Sequence, residues 1–220
     1  MIPGIQEKTD RLCERGIVAV VRADTSGQLL EVARALLAGG VDCIEITMTT
    51  PNALEVIARC RAELDQAAMV GVGSVLEREV ALAAIAAGAE FVVSPVLEAS
   101  VIAAAHQAGL PAVAGAFTPN EILAAARAGA DLVKVFPATR LGPGYFKDVL
   151  APMPFLKLTP TGGVDLTNAG AFIKAGAVTL GVGSALVPRK AVWDGDFAQI
   201  QRLAAEFVAA VKQARGQNTA

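Results

Sequence analysis

Aromatic side chains are scarce in this chain, at 5% of 220 residues, so the core must be built from Ala, Val, Leu and Ile within the 54% of hydrophobic residues. Asp and His do not cluster at metal-ligand spacing, which weighs against metal-assisted enolate chemistry, and neither a metal nor another cofactor is expected. The three cysteines, Cys13, Cys43 and Cys60, form no CxxC pair and no even-numbered framework. They read as reduced thiols, which favours the cytoplasm. No apolar run approaches the roughly 20 residues that cross a bilayer, and the start of the chain lacks the basic-then-apolar order of a signal peptide. No membrane partner is expected. Lys and Arg number 19 against 21 Asp and Glu, scattered along the chain, which leaves no basic surface for nucleic acid. No composition shift, charge run or Ser/Pro linker divides the chain, so residues 1–220 read as one domain with an ample core. The mean hydropathy of +0.50 is high for a soluble monomer. Apolar helix surface left over suits a homo-oligomer.

What is present is a repeated phrase. An Ala-Gly helix stop before a β-rich run recurs at Ala38-Gly39-Gly40, Ala87-Gly88, Ala108-Gly109, Ala128-Gly129 and Ala175-Gly176. The runs predict strands at 17–22, 42–47, 69–73, 91–94, 111–115, 132–136, 156–160 and 178–182, each followed by a helical pattern. After the first of them, Asp24-Thr25-Ser26 are good N-cap residues for the helix that carries Leu29, Leu30, Val32, Ala33 and Leu36. Eight parallel strands joined by helical crossovers either close into a (β/α)8 barrel or lie in an open doubly wound sheet, and the short repeat favours the barrel. Residues 4–15, stopped by Gly16, predict a leading helix that acts as a lid or a brace, and residues 215–220 are expected to be a frayed tail.

In such a barrel the chemistry belongs at the strand C-termini. Lys134 lies in Leu132-Val133-Lys134-Val135-Phe136-Pro137, apolar on both flanks, and Glu45 lies likewise in Cys43-Ile44-Glu45-Ile46-Thr47. A desolvated amine attacks carbonyl carbon once neutral, and a nearby carboxyl supplies the acid and base of imine chemistry. A structural ion pair remains a fair alternative. The other polar residues at strand ends are Arg22, Thr47, Thr49, Ser74, Ser94, Thr161, Gly162, Gly163 and Ser184. Thr161-Gly162-Gly163 and Gly181-Val182-Gly183-Ser184 follow the seventh and eighth strands, where barrels commonly bind phosphate through backbone N–H groups. His106, near a helix end, reads as a surface or capping residue, and Lys157, at the opposite end of its strand from Thr161, is expected in a bottom-face ion pair.

Together Gly39-Gly40-Val41 through Glu45-Ile46-Thr47, Val70 to Leu76, Phe91 to Pro95, Val133 to Pro137, Thr159 to Val164 and Gly181 to Ser184 resemble the 2-keto-3-deoxy-6-phosphogluconate (KDPG) and 4-hydroxy-2-oxoglutarate (KHG) aldolases, collinearly from Ile17 to Trp193. The resemblance implies a (β/α)8 barrel, a homotrimer, and a metal-independent class I aldolase that yields pyruvate. It makes Lys134 the Schiff-base lysine, Glu45 the proton shuttle, Ser74 and Thr161 hydroxyl donors to the keto acid, Pro95 and Phe136 its apolar walls, and Gly162, Gly163 and Ser184 the phosphate cradle. One departure stands out: Thr49 occupies a position where an arginine often grips the pyruvate carboxylate, and Arg22 is expected to take over. A second is Ser74, where threonine is common. The substrate implied is a small-molecule keto-acid sugar phosphate, KDPG first and 4-hydroxy-2-oxoglutarate second, with the C4-epimeric phosphogalactonate series as an alternative. Two rivals stay open, a phosphate-binding isomerase or thiamine-phosphate-synthase-like transferase that forms no imine, and a catalytically silent sugar-phosphate binding module.

Overall fold

The β-branched and small-residue runs form eight parallel strands in a computed structural model, which describes residues 4–216. They are Ile17–Val21 (β1), Cys43–Thr47 (β2), Met69–Gly73 (β3), Val92–Val93 (β4), Ala112–Ala116 (β5), Leu132–Val135 (β6), Leu158–Pro160 (β7) and Leu180–Val182 (β8). Ile5–Arg15 (α1) precedes them. Crossover helices follow in turn as Leu29–Ala38 (α2), Ala53–Leu64 (α3), Arg78–Ala86 (α4), Ala99–Gln107 (α5), Pro119–Arg127 (α6), Gly142–Leu150 (α7), Ala169–Lys174 (α8) and Arg189–Asp194 (α9), and Phe197–Ala214 (α10) ends the chain's regular structure. Sheet neighbours run in sequence order from β1 to β7, with β8 beside β1. A parallel bridge between Thr161 and Gly181 joins the two remaining edges, so the sheet closes as a (β/α)8 barrel.

Each expected Ala-Gly stop works the same way. Gly40, Gly88, Gly109, Gly129 and Gly176 all have φ between 70° and 101°, the left-handed turn that ends a helix and releases the chain into the next strand. Inside the barrel, Leu12 packs with Val18, Cys43, Met69, Phe91, Val93, Val113 and Leu132. Outside it, the opposite faces of the strands pack against the helices in one larger aliphatic core. Leu12 comes from α1, which is held across the N-terminal end of the barrel by Arg11 and Arg15, 2.9 and 3.0 Å from Asp42. α1 is therefore a brace on the face opposite the strand C-termini.

Four expectations are corrected. The residues 24–26 do not cap α2, which starts three residues later behind Gln28 without a side-chain cap; the Asp24 carboxylate instead faces Arg189 at 4.0 Å. Lys157 makes no ion pair within 4 Å among the described residues; it lies near Cys13, whose thiol burial pushes up and Lys157 pulls back. Arg215 is not frayed, because its guanidinium donates to the carbonyls of Glu14, Cys13 and Val178 at 2.6 to 2.8 Å. Residues 217–220 of that expected tail lie outside the described residues. His106 cross-links rather than caps: its Nε2 lies 2.9 Å from Asp131, which also accepts the Ala112 N–H. No helix among the described residues is long and apolar enough to cross a membrane.

Candidate active site

Strand periodicity decides which side chains face the barrel axis. On β6, Leu132 and Lys134 point inward, and on β2, Cys43 and Glu45 do, so an amine and a carboxyl meet one layer above the aliphatic plug. Lys134 is 5% and Glu45 3% exposed, and Lys134 Nζ lies 4.0 Å from Glu45 Oε1. That distance holds an ion pair without a hydrogen bond, and Glu45 Oε1 has no hydrogen-bond partner among the described residues. Burial pushes the Glu45 carboxyl above its ordinary range, against Lys134 and Arg22, which pull it down. A raised carboxyl gives and takes a proton closer to neutral pH than a solvated one.

Two glycines make room for this arrangement. A methyl group on Gly73 would overlap Glu45 Oε1, and one on Gly115, beside Lys134 in register, would overlap the Pro95 carbonyl. Small residues on β3 and β5 therefore set the depth at which the carboxyl sits and how closely the Pro95 wall approaches. Phe136 forms a second wall, its ring centroid 5.2 Å from Lys134 Nζ. Ser74, directly after β3, holds φ 61°, a strained conformation for a side-chain-bearing residue, at the point where its hydroxyl reaches the mouth. Gly162 and Gly163, at φ 87° and 74°, turn the chain sharply after Thr161.

The mouth is one cavity of about 810 Å³, large enough for a sugar-sized ligand. Lys134 and Glu45 form its floor, and every other residue expected at the site lines it: Arg22, Thr49, Ser74, Pro95, Phe136 and Thr161 on the way in, with Gly162, Gly163 and Ser184 along one wall. Thr47 and Ser94, also polar at strand ends, do not reach it. Thr47 Oγ1 bonds Thr49 Oγ1 at 3.0 Å, and Ser94 Oγ accepts the Val96 N–H. Sequence reasoning passed over Asp165 and Arg189, which line the same cavity. Hydrogen bonds, first from the Thr167 hydroxyl, hold the Asp165 carboxyl below its usual range. Asp165 followed the named Gly-Gly pair by two positions, whereas Arg189 lies on a helix after the strand end and offered no positional signal.

The arrangement bears on the two roles open to the central pair. A pair kept for stability alone gains most by closing to hydrogen-bond distance and satisfying its remaining lone pairs, because buried charges are costly otherwise. Here the gap is 4.0 Å, one oxygen is unpaired, and both groups face an open cavity. Both groups are thus left free to meet a ligand that enters the cavity.

Comparison with known proteins points the same way. The family model "Aldolase: KDPG and KHG aldolase" matches residues 9–203. A 2-dehydro-3-deoxy-phosphogluconate aldolase of Pseudomonas aeruginosa is 35% identical over 207 residues, covering 92% of this chain and 94% of the relative. One of the same description from Treponema pallidum is 36% identical over 188 residues, covering 85% and 89%. Among solved structures, one described as "Native KDPGal structure" superposes with a TM-score of 0.85 at 29% identity, covering 91% of this chain and 96% of that one.

Proposed function

The chain belongs to the KDPG and KHG aldolase family, and on that premise we propose how its own residues carry out the aldol cleavage. The reaction is the reversible cleavage of KDPG to pyruvate and glyceraldehyde 3-phosphate by a class I aldolase. The observation that carries the assignment of residues is the buried amine of Lys134 at 4.0 Å from the buried Glu45 carboxyl, on the floor of an open cavity.

Lys134 Nζ adds to the C2 ketone, and the carbinolamine loses water with Glu45 as the acid that protonates the leaving hydroxyl. The protonated imine then draws electrons from the C3–C4 bond. Glu45, now a carboxylate, takes the C4 hydroxyl proton, the bond breaks, and glyceraldehyde 3-phosphate leaves. Protonation of the enamine at C3 and hydrolysis of the imine release pyruvate and restore the amine. Arg22 holds the pyruvate carboxylate in place of the arginine that Thr49 replaces, with Ser74 and Thr161 donating hydroxyl bonds. Pro95 and Phe136 keep water from the enamine, and the N–H groups of Gly162, Gly163 and Ser184 receive the phosphate.

The same steps apply to 4-hydroxy-2-oxoglutarate, because the bonds made and broken lie at C2 to C4 and the C4 hydroxyl, which both substrates share, and only what lies beyond C4 differs. We further propose a homotrimer in the cytoplasm, requiring no metal. The decisive experiment is trapping: pyruvate with borohydride should inactivate the enzyme and leave one carboxyethyl group on the peptide containing Lys134. A Lys134→Met variant should take up none. Absence of a wild-type adduct, with turnover intact, would mean cleavage without an imine and would overturn the assignment.

A further inference from the structure

The phosphate cradle contains no positive charge. Gly162, Gly163 and Ser184 offer N–H groups and a hydroxyl, while the Asp165 carboxylate on the same cavity wall repels a dianion. The cavity holds three cations, Lys134, Arg22 and Arg189. Under the aldolase reading above, on which this inference rests, Lys134 becomes the imine and Arg22 meets the carboxylate at the opposite end of the substrate. Arg189 alone is left for the far end.

Its placement suits that task. Arg189 opens α9, five residues beyond Ser184 and directly behind Pro188, the extended N-cap of that helix. Among the described residues its one ion pair is with Asp24 at 4.0 Å, too long for a hydrogen bond, with the two side chains 68% and 73% exposed. Such a pair holds the guanidinium weakly. Neighbouring Lys190 is tied to Asp194 and does not line the cavity. A guanidinium binds phosphate oxygens in a two-pronged fork that a lone ammonium cannot reproduce. We propose that Arg189 leaves Asp24 when substrate enters and pairs with its terminal phosphate, so that this residue sets the preference for phosphorylated over unphosphorylated 2-keto-3-deoxy acids.

The test compares kcat/KM for KDPG with that for 2-dehydro-3-deoxygluconate, which is uncharged at the far end. In Arg189→Ala the preference ratio should fall on the order of tenfold, through KM for the phosphorylated substrate. Arg189→Lys should recover part of it, and added salt should raise that KM more steeply in wild type than in Arg189→Ala. Pyruvate trapping in wild type separates the two levels of the argument. A wild type that traps pyruvate while Arg189→Ala keeps the wild-type ratio overturns the role of Arg189 alone. A wild type that cleaves KDPG without trapping overturns the imine at Lys134, and with it the elimination that leaves Arg189 for the phosphate.

Discussion

Arg22 touches the chemistry twice, once as the partner expected for the pyruvate carboxylate and once through Glu45. Its guanidinium favours the carboxylate form of Glu45, whose ionisation burial opposes. Removing the charge leaves burial less opposed, so the Glu45 carboxyl moves further up. With Glu45 as the proposed base, activity falls as pH drops through that value, so the acid limb of the kcat/KM profile in Arg22→Ala should move to higher pH. Losing a charge-assisted fork to a carboxylate should also raise KM for pyruvate in the reverse direction by about tenfold or more. Both changes are read from initial rates across pH. A variant with wild-type KM and an unmoved limb would show that Arg22 faces neither group.

At the scale of elements the barrel has two ends with separate duties. The strand C-termini carry the cavity, while α1 closes the other end by putting Leu12, 1% exposed, into the plug between Val18 and Phe91. Leu12→Ala should therefore cost about 2–5 kcal/mol in a urea melt. Well below its lowered Tm the variant should keep wild-type KM, since no residue of α1 lines the mouth, while kcat should fall, because Leu12 borders the small inner space under Lys134 and Glu45. The same division explains what could be read before the fold was known. Strands declared themselves because β-branched runs followed glycines that only a left-handed turn explains, and Lys134 and Glu45 because a charge in such a run must face something. Helix starts were harder. Asp24 has the chemistry of a cap but faces Arg189, a contact across 165 residues of chain that local pattern does not encode. β4 is shorter than its apolar run because Pro95 ends the pairing and lays its carbonyl against Gly115. Arg189 was hidden for a related reason: a cation on a short surface helix has no periodic signature, and only closure of β8 beside β1 brings it to the mouth.

The surface of the whole molecule still shows apolar side chains that a monomer gains nothing by exposing. Leu76 follows β3, Val96 and Leu97 follow β4, and Phe117 follows β5, so four exposed apolar residues lie after three adjacent strands. Leu76 is 56% exposed and also lines the cavity, which places this rim against the active site. Covering such a rim with a second copy of the chain removes apolar area from water at roughly 25 cal/mol per Å². Light scattering behind a sizing column should then report three times the 22.5 kDa chain mass for the wild type. Leu97→Glu, which puts a charge into the covered rim without touching the cavity, should shift the population toward monomer. Because the rim borders Leu76 and the Pro95 wall, the dissociated variant should also show a raised KM for its keto acid while retaining the imine. A wild type that elutes as a monomer at micromolar concentration, or a Leu97→Glu variant that stays fully assembled, would remove this face from the interface.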